Sequence, residues 1–346
     1  MIINYAMDEY HPVFPHQIKI VRELSRYFED VYVITNAYKV PKVALPKHIY
    51  VCNLNWKPRQ PVSNLLKLLI EFIKLIKVRR VDIVFSHMTE VHSAILAPFT
   101  KLLAIPHILW YAHKSLSKWL LWNSLFIDKI ITSTRDSCPL KSKKVVAIGQ
   151  SVDETVFKFT TNRNYAKKSK WVHVGRIDPS KKIHTLIKLF LSQTKVGSRA
   201  LLDFVGESTP NNLDYSRSLF KLRGDYPDQI NFLGKKNQKE VNEILEKSDL
   251  FIHAFQGSLD KSLVEAVMNG ISVVSCNHEF IKEFGSLSAP NLNATDEDLL
   301  LEEIAHFMSM SAQELAEIAA KRYEVAITRH SLSSWMRKLI LELDYK

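Results

Sequence analysis

The segment Val172-His-Val-Gly-Arg-Ile-Asp-Pro-Ser-Lys-Lys182 reads as a strand ending at Gly175, a turn carrying Arg176, and a helix start near Pro179 that brings in Lys181. Two cations beside a helix N-terminus suit an anionic group such as a diphosphate, because open amides and the helix dipole add to the fixed charge. Solvated cations on a surface turn are the alternative reading. A second segment runs from Gly257 to Gly270 (GSLDKSLVEAVMNG) and reads as a loop, a helix from about Lys261 and a stop at Gly270. Glu265 lies one turn inside that helix, among Val264, Ala266 and Met268. A carboxylate there needs partners, and the vicinal hydroxyls of a sugar would supply two donors; a nearby cation would serve as well. Two more predicted strands end in glycine, at Gly206 and Gly234. Glycine at a strand end lets a ligand approach the backbone closely, although ordinary turn formation also uses it.

The elements that must position these residues follow from periodicity. Short apolar runs alternate with amphipathic stretches, the pattern of parallel α/β architecture. In the first half, strands are predicted at 2–6, 31–35, 49–53, 82–86, 108–112, 129–133 and 144–148, with helices near 16–28, 63–79, 90–103 and 115–126. The polar stretch 160–170 (TTNRNYAKKSK) breaks the periodicity and reads as a linker. A second α/β run has strands at 171–174, 200–205, 230–233, 250–254 and 271–275, with helices near 181–194, 214–223, 238–247 and 261–269. From Asp296 the pattern is all-helical, and Ser331 is a plausible N-cap for a last helix that buries Trp335 and Leu339. The linker divides the chain into two expected domains, residues 1–160 and residues 161–330.

Composition excludes several classes. The chain has 346 residues and nine glycines, the first at Gly149, so neither a Walker A loop nor an N-terminal G-x-G-x-x-G fingerprint exists. Net charge is +11, and residues 1–160 carry 22 Lys and Arg against 12 Asp and Glu. Such a half suits an anionic partner, whether membrane surface, polyanionic glycan or nucleic acid. Cys52, Cys138 and Cys276 are scattered, which suggests neither a disulfide framework nor a zinc site. No signal peptide or membrane-spanning run is read, and a cytoplasmic protein is expected.

Taken together, the C-terminal segments resemble glycosyltransferase family 4 (glycosyl transferases group 1), the retaining nucleotide-sugar enzymes of GT-B fold. Gly175, Arg176, Asp178 and Lys181 match its G-R-L-D-x-x-K element, and Gly206 its V-G-x-G strand. Phe232-Leu233-Gly234 match V-x-F-L-G, Ser248-Asp249 with Phe251-Ile252 the A-D strand, and Glu265-Ala266 with Gly270 the E-x7-E loop-helix. Order and spacing hold over about 110 residues. The resemblance implies two doubly wound Rossmann-like domains facing a cleft: residues 1–160 on the acceptor side, joined by the C-terminal helix 331–346 crossing back to them, and residues 161–330 on the nucleotide-sugar side. It implies that Gly175, Arg176 and Lys181 grip the donor diphosphate, and that amides around Gly257, Ser258, Lys261 and Ser262 cap it. Glu265 would hold the ribose hydroxyls, and Leu233 and Gly234 would border the base.

Two departures stand out. The first glutamate of E-x7-E, which contacts the transferred sugar in the family, is Gly257 here, and Asp260 in the same loop is hypothesised to replace it. An exposed helix N-cap is the competing reading of Asp260. The family's glycine pair after the first strand is Pro15-His16, so His11 and His16 become acceptor-side candidates. His113, near the end of a predicted buried strand, matches a family histidine that touches the donor sugar.

The function expected is therefore hexosyl or amino-hexosyl transfer, with retention, from a nucleoside-diphosphate sugar to a glycan or lipid-linked acceptor in surface polysaccharide or glycoconjugate synthesis. A non-catalytic GT-B protein that binds glycan or partner enzymes is the alternative. Nucleic acid is rejected as a partner for want of a motif. Asp296-Glu-Asp298 spells D-x-D, read as an acidic first helical turn, so no metal and no cofactor are expected. The stretch 64–80 (NLLKLLIEFIKLIKVRR) is either packed in the core on most sides, the favoured reading, or laid on a membrane as a peripheral contact.

Overall fold

Strands of three to eight residues alternate with helices, and the chain lays them into two parallel sheets. The structure, a computed structural model, describes residues 1–11, 14–194, 199–209, 212–224, 226–288 and 293–343. Contacts divide the chain into two units, one of Met1–Ile148 joined by residues from Met336 on, the other of Gly149–Trp335.

The first unit holds strands β1 (Ile2–Met7), β2 (Val31–Tyr38), β3 (Ile49–Asn53), β4 (Val84–His87), β5 (His107–Trp110), β6 (Lys129–Thr132) and β7 (Val145–Ala147), in the order β3-β2-β1-β4-β5-β6-β7. Its helices are α1 (Gln17–Leu24), α2 (Pro61–Val78), α3 (Glu90–Leu102) and α4 (Lys118–Phe126). Every pairing is parallel. β4 is buried at all four positions, as a strand covered on both faces requires.

The second unit repeats the design with β8 (Lys170–Val174), β9 (Leu201–Val205), β10 (Ile230–Phe232), β11 (Leu250–His253) and β12 (Ser272–Ser275), in the order β10-β9-β8-β11-β12. Around it lie α5 (Ile183–Gln193), α6 (Leu213–Arg223), α7 (Gln238–Glu246), α8 (Lys261–Asn269), α9 (His278–Phe284), α10 (Asp296–Ser309) and α11 (Ala312–His330). Helix α12 (Leu332–Leu343) begins in this unit and continues in the first, where Lys129 Nζ meets the Glu342 carboxylate at 2.6 Å. Ser331 Oγ accepts from Ser334 N at 3.2 Å, and Trp335 and Leu339 are fully buried, as the sequence predicts. In both sheets the order of strands reverses beside the first strand of the unit. The crevice outside the strand C-terminal ends at such a point is where ligands bind in doubly wound sheets.

Two expectations need correcting. The stretch read as a linker is fastened to the second unit: Arg163 donates to the Ser248 carbonyl at 2.6 Å, and the Tyr165 hydroxyl to the Gly270 carbonyl at 2.7 Å. A polar, aperiodic segment therefore does not mean a loose one, because its side chains satisfy backbone carbonyls at the ends of neighbouring elements. Helix α2 is also less enclosed than its composition suggests. Only Asn64, Leu68 and Phe72 are buried, while Val62, Leu66, Ile70, Ile73 and Val78 are exposed. A single sheet face covers only about one stripe of a helix, and neighbouring helices leave the rest uncovered.

Candidate nucleotide-sugar site

The second unit places its predicted residues along one edge, at the C-terminal ends of β8, β9, β10 and β11. Gly175 N donates to the Val205 carbonyl, and Gly206 N to the Gly234 carbonyl, each at 2.9 Å. Gly206 has φ +141°, and a β-carbon there would lie 1.9 Å from the Gly175 carbonyl oxygen. The three strand-end glycines thus form a continuous bare rim, with Gly234 at φ +68° and nothing within 4 Å of where a β-carbon on it would lie. Leu233 beside it is exposed.

Beyond Gly175 the chain turns. Asp178 takes the N-cap position of a 3-10 turn, Pro179–Lys181, and its carboxylate accepts from Ser180 N at 2.9 Å and Asn212 Nδ2 at 2.8 Å. That turn leaves Arg176 exposed and folds Lys181 inward. The Lys181 side chain is only 9% exposed, with its ammonium 3.9 Å above the centroid of the Phe255 ring and ion-paired to Asp260.

Asp260 occupies the N-cap position of α8 but makes no capping hydrogen bond. Its carboxylate instead meets Lys181 and His253 Nε2, the latter at 3.2 Å. Burial opposes its ionisation, yet the Lys181 charge and the His253 hydrogen bond outweigh that and hold the carboxyl well below the usual range. The exposed-cap reading is thereby set aside, since an N-cap would spend the oxygens on α8 amides. Ser262 Oγ, in the first turn of α8, is buried without a hydrogen-bond partner. An orphaned hydroxyl beside open helix amides is what an anionic ligand would satisfy. Lys261 and Ser258 flank that turn, half-buried. Glu265 stands one turn further on. Burial raises its carboxyl from 4.5 to about 7, helped by the Asp260 charge and opposed by Lys261 and a hydrogen bond with Gln238.

Gly257 has a local cause. A β-carbon there would stand 2.1 Å from the Phe255 ring, so the space a glutamate stem would need is already filled. The same ring carries the Lys181 ammonium.

Sequence reading passed over two histidines at this edge. His173 in β8 and His253 at the end of β11 are fully buried, ring centroids 5.9 Å apart. His173 Nδ1 bonds to the Ile252 carbonyl at 2.9 Å, and its Nε2, unpartnered, lies 2.9 Å from where a Gly175 β-carbon would be. Burial keeps this imidazole neutral, lowering it to about 3. The signal was present, as V-H-V-G and F-I-H-A each put a histidine at or near a strand end, but both had the look of core residues.

The D-x-D string starts α10. Asp296 pairs with Lys182 and accepts from Gln256 Nε2 at 2.9 Å, while Asp298 accepts from its N-cap Thr295 Oγ1 at 2.7 Å. Asp298 thus serves the start of α10, while Asp296 ties that start to Lys182, the N-cap position of α5, and to the loop after β11.

In the first unit, His16 sits at the N-cap position of α1, and its ring meets His87, the last residue of β4, edge-on at 6.0 Å. His11 Nδ1 accepts from Phe14 N at 3.0 Å and its ring stacks on Phe14 at 5.2 Å, so it shapes a turn. His113 is exposed, three residues past the end of β5, with its ring edge-on to Tyr111 at 5.5 Å. His87 in turn faces Trp110 at 6.2 Å, an aromatic and imidazole cluster at the C-terminal ends of β4 and β5 that sequence reading did not assemble.

Comparison with known proteins agrees with this architecture. No curated protein matches the chain by sequence. Residues 156–321 match the family model of glycosyl transferases group 1. Among solved structures, Anabaena HepE in complex with UDP and glucose superposes with a TM-score of 0.74 at 15% identity, covering 100% of this chain and 99% of that one. Sucrose-phosphate synthase from Thermosynechococcus elongatus gives 0.75 at 14%, covering 99% and 98%. WaaG, a glycosyltransferase involved in lipopolysaccharide biosynthesis, gives 0.67 at 14%, covering 100% and 99%. At such identities the likeness speaks for the fold: two Rossmann-like domains that match GT-B glycosyltransferase structures. Within that frame, the match to the glycosyl transferases group 1 model lies in the second unit and spans just under half of the chain.

Proposed function

We propose that the chain is a retaining glycosyltransferase that moves a hexose or amino-hexose from a nucleoside-diphosphate sugar to a glycan or lipid-linked acceptor. One observation carries the reading: a bare glycine rim, two cations and the open first turn of α8 with its orphaned Ser262 hydroxyl share one sheet edge. Arg176 and Lys181 would neutralise charge that grows on the departing nucleoside diphosphate, stabilisation aimed at the transition state. The α8 amides near Lys261 and Ser262 would hold the phosphates, Glu265 the ribose hydroxyls, and Leu233 and Gly234 the base. The reading assigns Asp260 to fixing Lys181, His113 to the transferred sugar and His11 and His16 to the acceptor side, and it uses no metal. Isothermal calorimetry and slow-hydrolysis assays against UDP-, GDP- and ADP-sugars test it. Saturable binding of one donor with turnover supports it, and absence of binding by all three refutes it. Binding of glycan without any donor would favour the non-catalytic alternative, for which the missing glutamate at Gly257 speaks.

The proposed acceptor face includes a membrane contact. Helices α2, α3 and α4 lie side by side, with Trp122 Nε1 donating to the Ala94 carbonyl at 3.0 Å. Leu66, Ile70, Phe99, Leu102, Trp122 and Leu125 are exposed on them. Lys77, Arg79 and Arg80 stand at the C-terminal end of α2, where Arg79 lies over the Tyr32 and Tyr50 rings and Arg80 pairs with Asp82, and Lys118 opens α4 over the Trp119 ring; no described helix is long and apolar enough to cross a membrane. Exposed apolar and aromatic side chains on helices that also carry basic residues suit an anionic lipid surface. Flotation with phosphatidylglycerol vesicles should retain the wild type and lose the variant K77E/R79E/R80E; a wild type that never floats at low salt refutes this contact.

A further inference from the structure

We propose that His253 is a positioning residue for the donor diphosphate: it fixes the Asp260 carboxylate, and Asp260 fixes the Lys181 ammonium at the N-terminus of α8. The inference rests on the donor-site reading above and adds to it a residue outside the family motif.

The network runs across four elements. Asn277 N donates to Ser275 Oγ at 3.1 Å, which leaves the Ser275 hydroxyl proton for His253 Nδ1, also at 3.1 Å. Nδ1 then accepts, so Nε2 carries the proton and donates to Asp260 Oδ2 at 3.2 Å. That same oxygen receives Lys181. His253 is 0% exposed, walled by the His173 ring at 5.9 Å and the Phe251 ring at 6.3 Å, so it cannot swing away. The charged and titratable groups that face it are Asp260 and Lys181, together with the neutral His173.

The purpose follows from the chemistry of Lys181. A lysine stem has four rotatable bonds, and ordering its ammonium costs rotamer entropy when a ligand arrives. Here Phe255 lies beneath the ammonium and Asp260 holds its side, so the charge is already in place. Asp260 can hold that position only while something holds Asp260, because it has no capping bond to α8. His253 supplies that hold. Gly257 completes the arrangement, since any side chain there would displace the Phe255 ring.

The test compares ligands that do and do not carry the second phosphate. UDP, GDP and ADP, with the corresponding monophosphates, are titrated by calorimetry into the wild type, His253→Leu, His253→Gln and Ser275→Ala. His253→Leu should weaken the diphosphate about tenfold, in the range of one charge-assisted hydrogen bond, and leave the monophosphate within about twofold. His253→Gln, which restores an N–H donor near the Nε2 position, should recover most of that loss. Ser275→Ala, which frees the ring tautomer without opening the core, should weaken the diphosphate about threefold, and it carries the test if His253→Leu does not fold. Equal losses for mono- and diphosphate, or glutamine no better than leucine, would overturn the proposal. A wild type that binds while every variant matches it overturns this inference alone. A wild type that binds none of the three diphosphates removes the donor-site reading and this inference with it.

Discussion

Gly175 and Gly206 meet backbone to backbone, so close that a β-carbon on Gly206 would fall 1.9 Å from the Gly175 carbonyl oxygen. Gly206 also holds φ at +141°, a region nearly closed to other residues. Gly206→Ala should therefore cost about 3 kcal/mol or more, combining strain with displacement of the β8 end. Urea unfolding would measure it, and a loss below about 1 kcal/mol would show that the two strand ends separate easily.

Arg176 is exposed, and its replacement should separate binding from stability. Arg176→Ala is expected to leave unfolding free energy within about 0.5 kcal/mol while weakening a nucleoside-diphosphate sugar about 10- to 100-fold. Thermal unfolding beside calorimetry checks both halves. Equal affinity in the variant would remove Arg176 from the donor site.

A glutamate at position 257 should harm this chain rather than help it. Gly257→Glu pushes a stem into the Phe255 ring, and an expected loss of about 1–3 kcal/mol follows from overpacking. In a Phe255→Ala background the added cost should shrink by about 1 kcal/mol or more, because the obstacle is gone. A double-mutant cycle by chemical denaturation decides it.

Asp260→Asn leaves the nearly buried Lys181 ammonium without its counter-charge. About 2–4 kcal/mol of destabilisation is expected, somewhat below a fully buried pair because the Asp260 side chain is 22% exposed. Adding Lys181→Met should recover part of the loss, as the orphaned charge is then removed. A double variant less stable than Asp260→Asn would contradict the pairing.

Glu265 predicts two pH effects of opposite use. Its carboxyl is raised from 4.5 to about 7, so the folded chain holds a proton there that the unfolded chain gives up. That contribution is full below about pH 4.5 and is lost as pH rises through about 7. Glu265→Gln should flatten this slope and raise stability at pH 8 by about 1–2 kcal/mol, a figure reduced for partial exposure. Donor binding should run the other way. Ribose hydroxyls prefer the ionised carboxylate, so affinity should increase as pH rises through about 7, and the glutamine variant should lose that dependence. Calorimetry between pH 6 and 8 would reveal it.

Much of this was readable from the chain. The alternation of apolar runs and amphipathic stretches located β1 to β12 to within a few residues, because parallel strands covered on both faces must be continuously apolar. Short α9 escaped, as seven residues carry too little periodicity to register. Arg176, Lys181, Glu265 and the strand-end glycines were visible as types at spacings. What they bond to was not. Arg163 and Tyr165 looked like linker residues until their carbonyl partners, some 80 to 105 positions away, came into view.

The sequence by itself determined which backbone positions had to be bare and where fixed charge would gather, because both follow from residue type and local turn chemistry. Only the tertiary structure decided how that charge is held. Lys181, His253, Asp260 and Ser275 come from separate elements, and contact across such distances depends on how β8, β11 and β12 pack in register. The absence of a glutamate at 257 likewise had no visible reason in the chain. Its cause is an excluded volume, the Phe255 ring folded back over that site.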